Sequence, residues 1–196
     1  MKKFALLFIK SKYTLSTVVF LLWITFFNEI DLIYIFQSRR EVVALRNEVQ
    51  RMKDEVHRLS GGTLGYVHVQ GMNDGSFRDV FDEVLGENFD RQGLVVDTRF
   101  NGGGWLHDDL KTFLSGQRYL DFAPQGNRLK DGEPMGRWTK PSCVLMSEGN
   151  YSDAFIFPYV YKQAGIGKTI GKPVPGTGTA VWWETQIDPT MVFGIP

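Results

Sequence analysis

The stretch Val144-Leu-Met-Ser-Glu-Gly-Asn-Tyr-Ser152-Asp-Ala-Phe-Ile-Phe157 reads as a buried strand, a tight turn and a helix start. A short apolar run bounded by turn residues is the pattern of a strand covered on both faces. The turn sets one hydroxyl, Ser152, at the C-terminal edge of a sheet, where the free N–H groups of the next helix point outward. The Gly-x-Ser-x-Gly elbow is absent. Taken alone, Ser152-Asp153 also suits an ordinary helix start, in which serine caps and aspartate complements the dipole.

A second turn of the same kind lies upstream. Gly93-Leu-Val-Val-Asp97 is a short apolar strand, followed by Thr98-Arg-Phe-Asn-Gly-Gly-Gly104 and a helix predicted over 105–114. Three glycines let the backbone approach a ligand and present N–H donors without side chains in the way. A phosphate loop would need a lysine and a hydroxyl after the glycines, and Trp105-Leu-His follows instead. A donor site for a developing oxyanion fits better, because the Ser152 turn supplies the nucleophile that it would serve.

Between and around these turns, strands alternate with helices. Residues 64–70 alternate as a strand, and Ser76 suits the N-cap of a helix with Phe77, Val80, Phe81, Val84 and Leu85 on one face. Further strands are predicted over 119–122, 142–146 and 169–170, with a helix over 153–163 and a polar loop over 125–140. That order predicts an α/β layered sheet with right-handed crossovers over residues 64–196.

The first sixty residues differ in kind. All 21 glycines lie from Gly61 onward, so the composition changes at a linker over 61–63. Residues 1–12 form a basic start, and residues 13–36 are predicted to cross a membrane once. The lysines before the span favour a cytoplasmic N-terminus and an extracytoplasmic remainder, across the inner (cytoplasmic) membrane. Residues 37–60 carry a heptad, with Val42, Val49 and Val56 at a and Leu45, Met52 and Leu59 at d. β-Branched a with Leu or Met at d favours a parallel two-stranded coiled coil, in which Glu41 would pair with Arg46 and Glu48 with Lys53. The same stripe suits one amphipathic helix lying on the domain behind it, but its polar flanks favour the coil.

A formal net charge of zero gives no argument for nucleic acid. The single cysteine, Cys143, excludes an internal disulfide and a multi-cysteine metal site, and its apolar surroundings suit a small core residue. His57, His68 and His107 show no ligand spacing, so neither metal nor cofactor is expected.

Two resemblances add to this reading. The aromatic run Leu21-Leu-Trp-Ile-Thr-Phe-Phe27, then Asn28-Glu-Ile-Asp-Leu32 and the heptad, resembles the septum formation initiator family (FtsB/DivIC) over residues 1–60. That likeness implies a cell-division role and a coiled-coil partner, a second copy or an FtsL-like protein. Phe100-Asn-Gly-Gly-Gly104, Asn150-Tyr-Ser-Asp153 and Gly171-Lys-Pro-Val-Pro-Gly-Thr-Gly-Thr179 together resemble the tail-specific (C-terminal processing) serine peptidases, in their tricorn-like branch, over 63–196.

The second likeness implies a partial crotonase-like core acting on polypeptides, with Ser152 as nucleophile. It makes the backbone N–H groups of Asp153 and Gly103 the oxyanion donors, with Gly102, Gly104 and Tyr151 in the substrate site. It also implies a base that these residues lack. The Ser–Lys branch keeps its lysine where Gly176-Thr-Gly-Thr179 stands, and the histidine and glutamate of the tricorn-like branch are not recognised here. The expectation is a weak or inactive, membrane-anchored peptidase domain whose sequence stops in mid-domain at Pro196. The alternatives are a non-catalytic bitopic division scaffold and a fused gene artefact.

Overall fold

The computed structural model describes residues 12–27, 32–127, 132–178 and 182–195. The chain divides into two compact units, Met1–Glu48 and Val49–Pro196. The division falls inside a helix, earlier than the glycine-marked linker at 61–63.

In the first unit, helix α1 (Lys12–Phe27) is 16 residues long and apolar on all sides. The predicted span over 13–36 runs through residues 28–31, which lie outside the described residues. No described helix is long and apolar enough to cross a membrane. Helix α2 (Leu32–Ser60) begins here and continues into the second unit. Val42 and Leu45 of its heptad stripe are exposed.

The second unit holds a four-stranded sheet of β1 (Leu64–His68), β2 (Gly93–Asp97), β3 (Ser142–Met146) and β4 (Lys168–Gly171). All neighbours are parallel, in the order β1-β2-β3-β4. The crossovers carry helices α3 (Asp74–Leu85), α4 (His107–Ser115) and α5 (Asp153–Gln163). Right-handed crossovers between strands added in one direction place every helix on the same face. The core agrees: Val67, Val69, Leu94, Val96 and Val144 share that face with Val80 and Val84, Leu110, Phe113 and Leu114, and Phe157 and Tyr161. Trp138, from the loop predicted as polar, is also buried there. Burying one such side chain contributes about 1.5–3 kcal/mol.

The other face carries Tyr66, Val95, Asp97, Cys143 and Leu145, as the pairing register dictates. Cys143 is half-buried, and burial pushes its thiol upward, so it is a poor nucleophile.

Val49, Met52 and Val56, in the part of α2 that belongs to this unit, are half-buried. Lys53, expected to pair with Glu48 of a second helix, instead lies 3.1 Å from both Glu83 and Glu87 of its own domain. Burial opposes its charge, but the two carboxylates raise its pKa. Gly61 and Gly62 end α2 with positive φ angles of 60° and 78°, and the Gly62 amide donates back to His57 O at 2.8 Å.

Three local expectations change. Asn73, not Ser76, caps α3: Asn73 Oδ1 accepts the Ser76 amide at 3.0 Å, while Ser76 Oγ accepts the Gly71 amide. Helix α4 begins at His107 rather than Trp105, because the Trp105 amide donates to Met72 O at 2.7 Å. Residues 119–122 form a single bridge, Leu120 to Glu133, instead of a strand. Pro124 opens a 3-10 turn directly afterwards, which ends the pairing. β5 (Trp182–Thr185) and β6 (Val192–Ile195) pair as a hairpin where the sequence predicts no strand, and they leave Trp183, Val192 and Phe193 exposed.

Candidate active site

Strands β2 and β3 are neighbours, so the turns leaving their C-terminal ends meet. The Thr98 amide donates to Leu145 O at 3.0 Å and starts the contact. Asn150, buried to 1% exposure, then ties the turns together. Its Oδ1 accepts from the Phe100 amide at 3.1 Å and from Ser147 Oγ at 3.1 Å. Its Nδ2 donates to Thr98 Oγ1 at 3.1 Å and to Ala154 O at 3.2 Å. The Tyr151 amide donates to Asn101 O at 3.0 Å.

Ser152 closes this turn at φ 52° and ψ −122°, a conformation that residues with a Cβ rarely adopt. Its side chain makes no capping hydrogen bond to α5. The ordinary capping role is therefore not what this serine performs. A strained strand-to-helix turn with an uncommitted hydroxyl is the geometry of a nucleophile elbow, reached here without the flanking glycines.

The three glycines have separate reasons. A Cβ on Gly103, at φ +93°, would come within 2.7 Å of both Ser152 Cβ and Tyr151 O, and 3.1 Å from the Asp153 nitrogen. A Cβ on Gly104 would meet Met72 O at 2.0 Å, so that glycine serves the contact with the chain after β1. Gly102 is exposed and faces open space. The Gly103 amide donates to Asn101 Oδ1 at 2.8 Å, and Asn101 is itself held by a bond from Nδ2 to Val69 O at 2.8 Å.

Asp153 lies beside the serine with its carboxylate buried. Oδ2 accepts the Leu106 amide at 2.6 Å and the His107 amide at 3.1 Å. His107 Nδ1 lies 2.5 Å from Oδ1. The first residue of α5 thus caps the N-terminus of α4 across space.

Below the turns, Asp97 accepts from Tyr66 OH at 2.7 Å and from Arg99 Nε at 2.9 Å. Burial works against the Asp97 charge, but the Arg99 guanidinium and the Tyr66 hydroxyl hold its carboxyl below the usual range. Burial and the Asp97 carboxylate push the Tyr66 phenol up. Burial lowers the pKa of His68, on the same face. Among the described residues, no three His, Cys, Asp or Glu side chains are grouped to hold a metal.

A family model described as peptidase family S41 matches residues 63–196. The chain belongs to peptidase family S41. A tricorn protease homolog of Saccharolobus solfataricus is 33% identical over 127 residues, which cover 63% of this chain and 11% of that protein. The tricorn protease of Thermoplasma acidophilum is 30% identical over 129 residues, covering 66% of this chain and 12% of that protein. A crystal structure of the tricorn protease superimposes with a TM-score of 0.62 at 27% identity, over 76% of this chain and 14% of that one. The chain therefore spans only a small part of these relatives.

Within this S41 domain, the structure brings Ser152, Asp153, Gly103 and Tyr151 together around one turn. Gly102 adjoins them, and Gly104 packs instead against Met72. Tyr151, Phe100 and Trp105 are exposed by 60%, 76% and 71%. Thr179, read as standing in the segment of the alternative base, lies outside the described residues. His107, one of three histidines without ligand spacing, is mostly buried against Asp153. The sequence carries no signal of this contact, because Leu106 becomes the N-cap only once Trp105 is drawn onto Met72 O. Asn101 and Asn150 carry the polar framework, and nothing in their spacing distinguishes them from ordinary turn asparagines.

Proposed function

We propose that the S41 domain carries a serine-type peptidase site in which Ser152 Oγ attacks a peptide carbonyl. The observation that carries this reading is the Ser152 backbone, held at φ 52° and ψ −122° with its hydroxyl uncommitted to the helix it begins. A new Oγ–C bond forms and the carbonyl π pair moves onto oxygen. The Asp153 amide follows Ser152 directly and Gly103 packs against both residues, so their N–H groups are the donors to that oxyanion, each being worth a few kcal/mol in such sites. For Gly103 this requires its N–H to exchange Asn101 Oδ1 for the oxyanion, or to share both. Collapse breaks the C–N bond, the amine leaves protonated, and water releases the acyl group. The substrate is a polypeptide, with Gly102 and Tyr151 at the mouth of the site.

The serine's proton decides the rate. His107 Nδ1 is engaged by Asp153 and its Nε2 lies 3.8 Å from Asp108 Oδ2 rather than bonded to Ser152 Oγ, and Glu148 lies 2.8 Å from Lys172, whose ammonium holds that carboxyl below the usual range. With water as acceptor, the chain forgoes the roughly 10²–10⁴-fold that a positioned base supplies. Slow cleavage of a denatured protein substrate by the full chain, abolished in Ser152→Ala, is the expected result. Cleavage that persists in Ser152→Ala overturns the assignment.

A second reading concerns residues 1–60. Tyr13, Leu15, Val18, Val19, Phe20, Leu21, Leu22 and Trp23 of α1 are all exposed. A helix apolar on every side needs an apolar surround. At 16 residues it is roughly 24 Å long, short of a bilayer core of about 30 Å unless the following residues extend it. We infer a single-pass anchor with the domain outside the cytoplasm, and Val42 and Leu45 as the start of a parallel pairing with a second copy or an FtsL-like division protein. The bitopic scaffold rests on these same residues. Release of the full chain from membranes by alkaline carbonate would sink the anchor, and Leu45→Glu with unchanged association would sink the pairing.

A further inference from the structure

Helix α4 follows directly from the glycine turn, and α5 begins at Asp153, so whatever joins their first residues fixes the two proposed oxyanion donors relative to each other. That join is the Asp153 carboxylate. It takes the Leu106 and His107 amides on Oδ2 and the His107 ring on Oδ1. A carboxylate accepts only, so Nδ1 carries the proton and donates. The ring is itself held. Trp105 stacks edge-on with centroids 5.5 Å apart, and Nε2 lies 3.8 Å from Asp108 Oδ2.

The two backbone amides already cap α4. The ring adds a third donor on the other oxygen, and two occupied oxygens fix the plane of the carboxylate where one would leave it free to turn. The amide of Asp153 shares a Cα with that side chain, and it lies next to the Gly103–Ser152 contact.

We propose that His107 is a positioning residue for the Ser152 site: its Nδ1–H locks the Asp153 carboxylate and so fixes the Asp153 amide as an oxyanion donor. The role rests on the reading of Ser152 as nucleophile. It predicts an effect on the chemical step rather than on binding, because His107 touches no substrate.

The test is the reaction of the full chain with an alkyl fluorophosphonate. The Ser152 Oγ–P bond forms, the P–F bond breaks, fluoride leaves, and the serine proton passes to solvent. The maximal inactivation rate and the apparent inhibitor constant are measured for wild type, Ser152→Ala, His107→Ala, His107→Leu and His107→Asn, with melting curves for each. The expected result is an inactivation rate lowered about tenfold in His107→Ala and His107→Leu, with the inhibitor constant unchanged. That is part of the 10²–10³-fold cost of losing a whole donor. His107→Asn, whose Nδ2 keeps a donor near the place of Nδ1, recovers a rate within about threefold of wild type. His107→Ala and His107→Leu reacting as fast as wild type would overturn the clamp alone, as would His107→Asn reacting as slowly as they do. A wild type that does not react would sink the peptidase reading and the clamp with it.

Discussion

Gly103 faces Ser152 so closely that a methyl group on the glycine would lie 2.7 Å from the serine Cβ. The adjacent Gly102 has nothing within 4 Å of the same position. The pair makes an internal control. Gly103→Ala combines a backbone clash with a φ of +93°, and it should cost roughly 2 kcal/mol or more while abolishing reaction at Ser152. Gly102→Ala should stay within about 0.5 kcal/mol of wild type. Chemical denaturation of both variants measures the difference, and equal midpoints would contradict the geometry.

Asn150 offers a second test, because one buried amide satisfies donors and acceptors on both turns. Asn150→Ala removes the acceptor of the Ser147 amide and the donor to Ala154 O, which Pro158 four residues on cannot replace, while the Phe100 amide keeps Ser147 Oγ and Thr98 Oγ1 keeps Leu145 O. Removing one partner of buried hydrogen bonds costs about 1–3 kcal/mol per group left unsatisfied. The urea midpoint should fall by the equivalent of roughly 3 kcal/mol after relaxation. A change below about 0.5 kcal/mol would show that the turns do not depend on Asn150.

The fold was legible where one period dominated. The apolar runs 93–97 and 142–146 became parallel strands, the first buried throughout and the second only at Val144, and Asp153 to Gln163 became the helix expected of it. Residues 119–122 form no strand because only Leu120 finds a pairing partner, Glu133. The site was legible through its glycines and its strand–turn–helix order, which place Ser152 and Gly103 together. The Asp153–His107 contact was hidden because it joins residues 46 apart and depends on which sheet neighbours the chain chooses. The polar flanks of the heptad at 42–59 favour a coil, yet Lys53 on one of those flanks meets Glu83 and Glu87 of its own domain.

The Asp97–Arg99 pair gives a prediction with a definite sign. Arg99 and Tyr66 hold the Asp97 carboxyl below its ordinary value, so the folded state favours the ionised form. Such a group contributes stability above its unfolded pKa of about 4, and that contribution is lost as pH falls through the lower folded value. Asp97→Asn should therefore be less stable than wild type at neutral pH, by about 1–2 kcal/mol, because the Arg99 side chain is 36% exposed and water takes up its charge. The gap in melting midpoint should close as pH drops below about 4. A gap independent of pH would assign the loss to packing.

The central claim concerns one oxygen atom. Treating the full chain with an alkyl fluorophosphonate, digesting it and locating the adduct by mass spectrometry tests that claim most directly. A phosphonyl group on Ser152, formed slowly in wild type and absent in Ser152→Ala, is the expected result. No adduct on wild type, or equal labelling of Ser152→Ala, would contradict it.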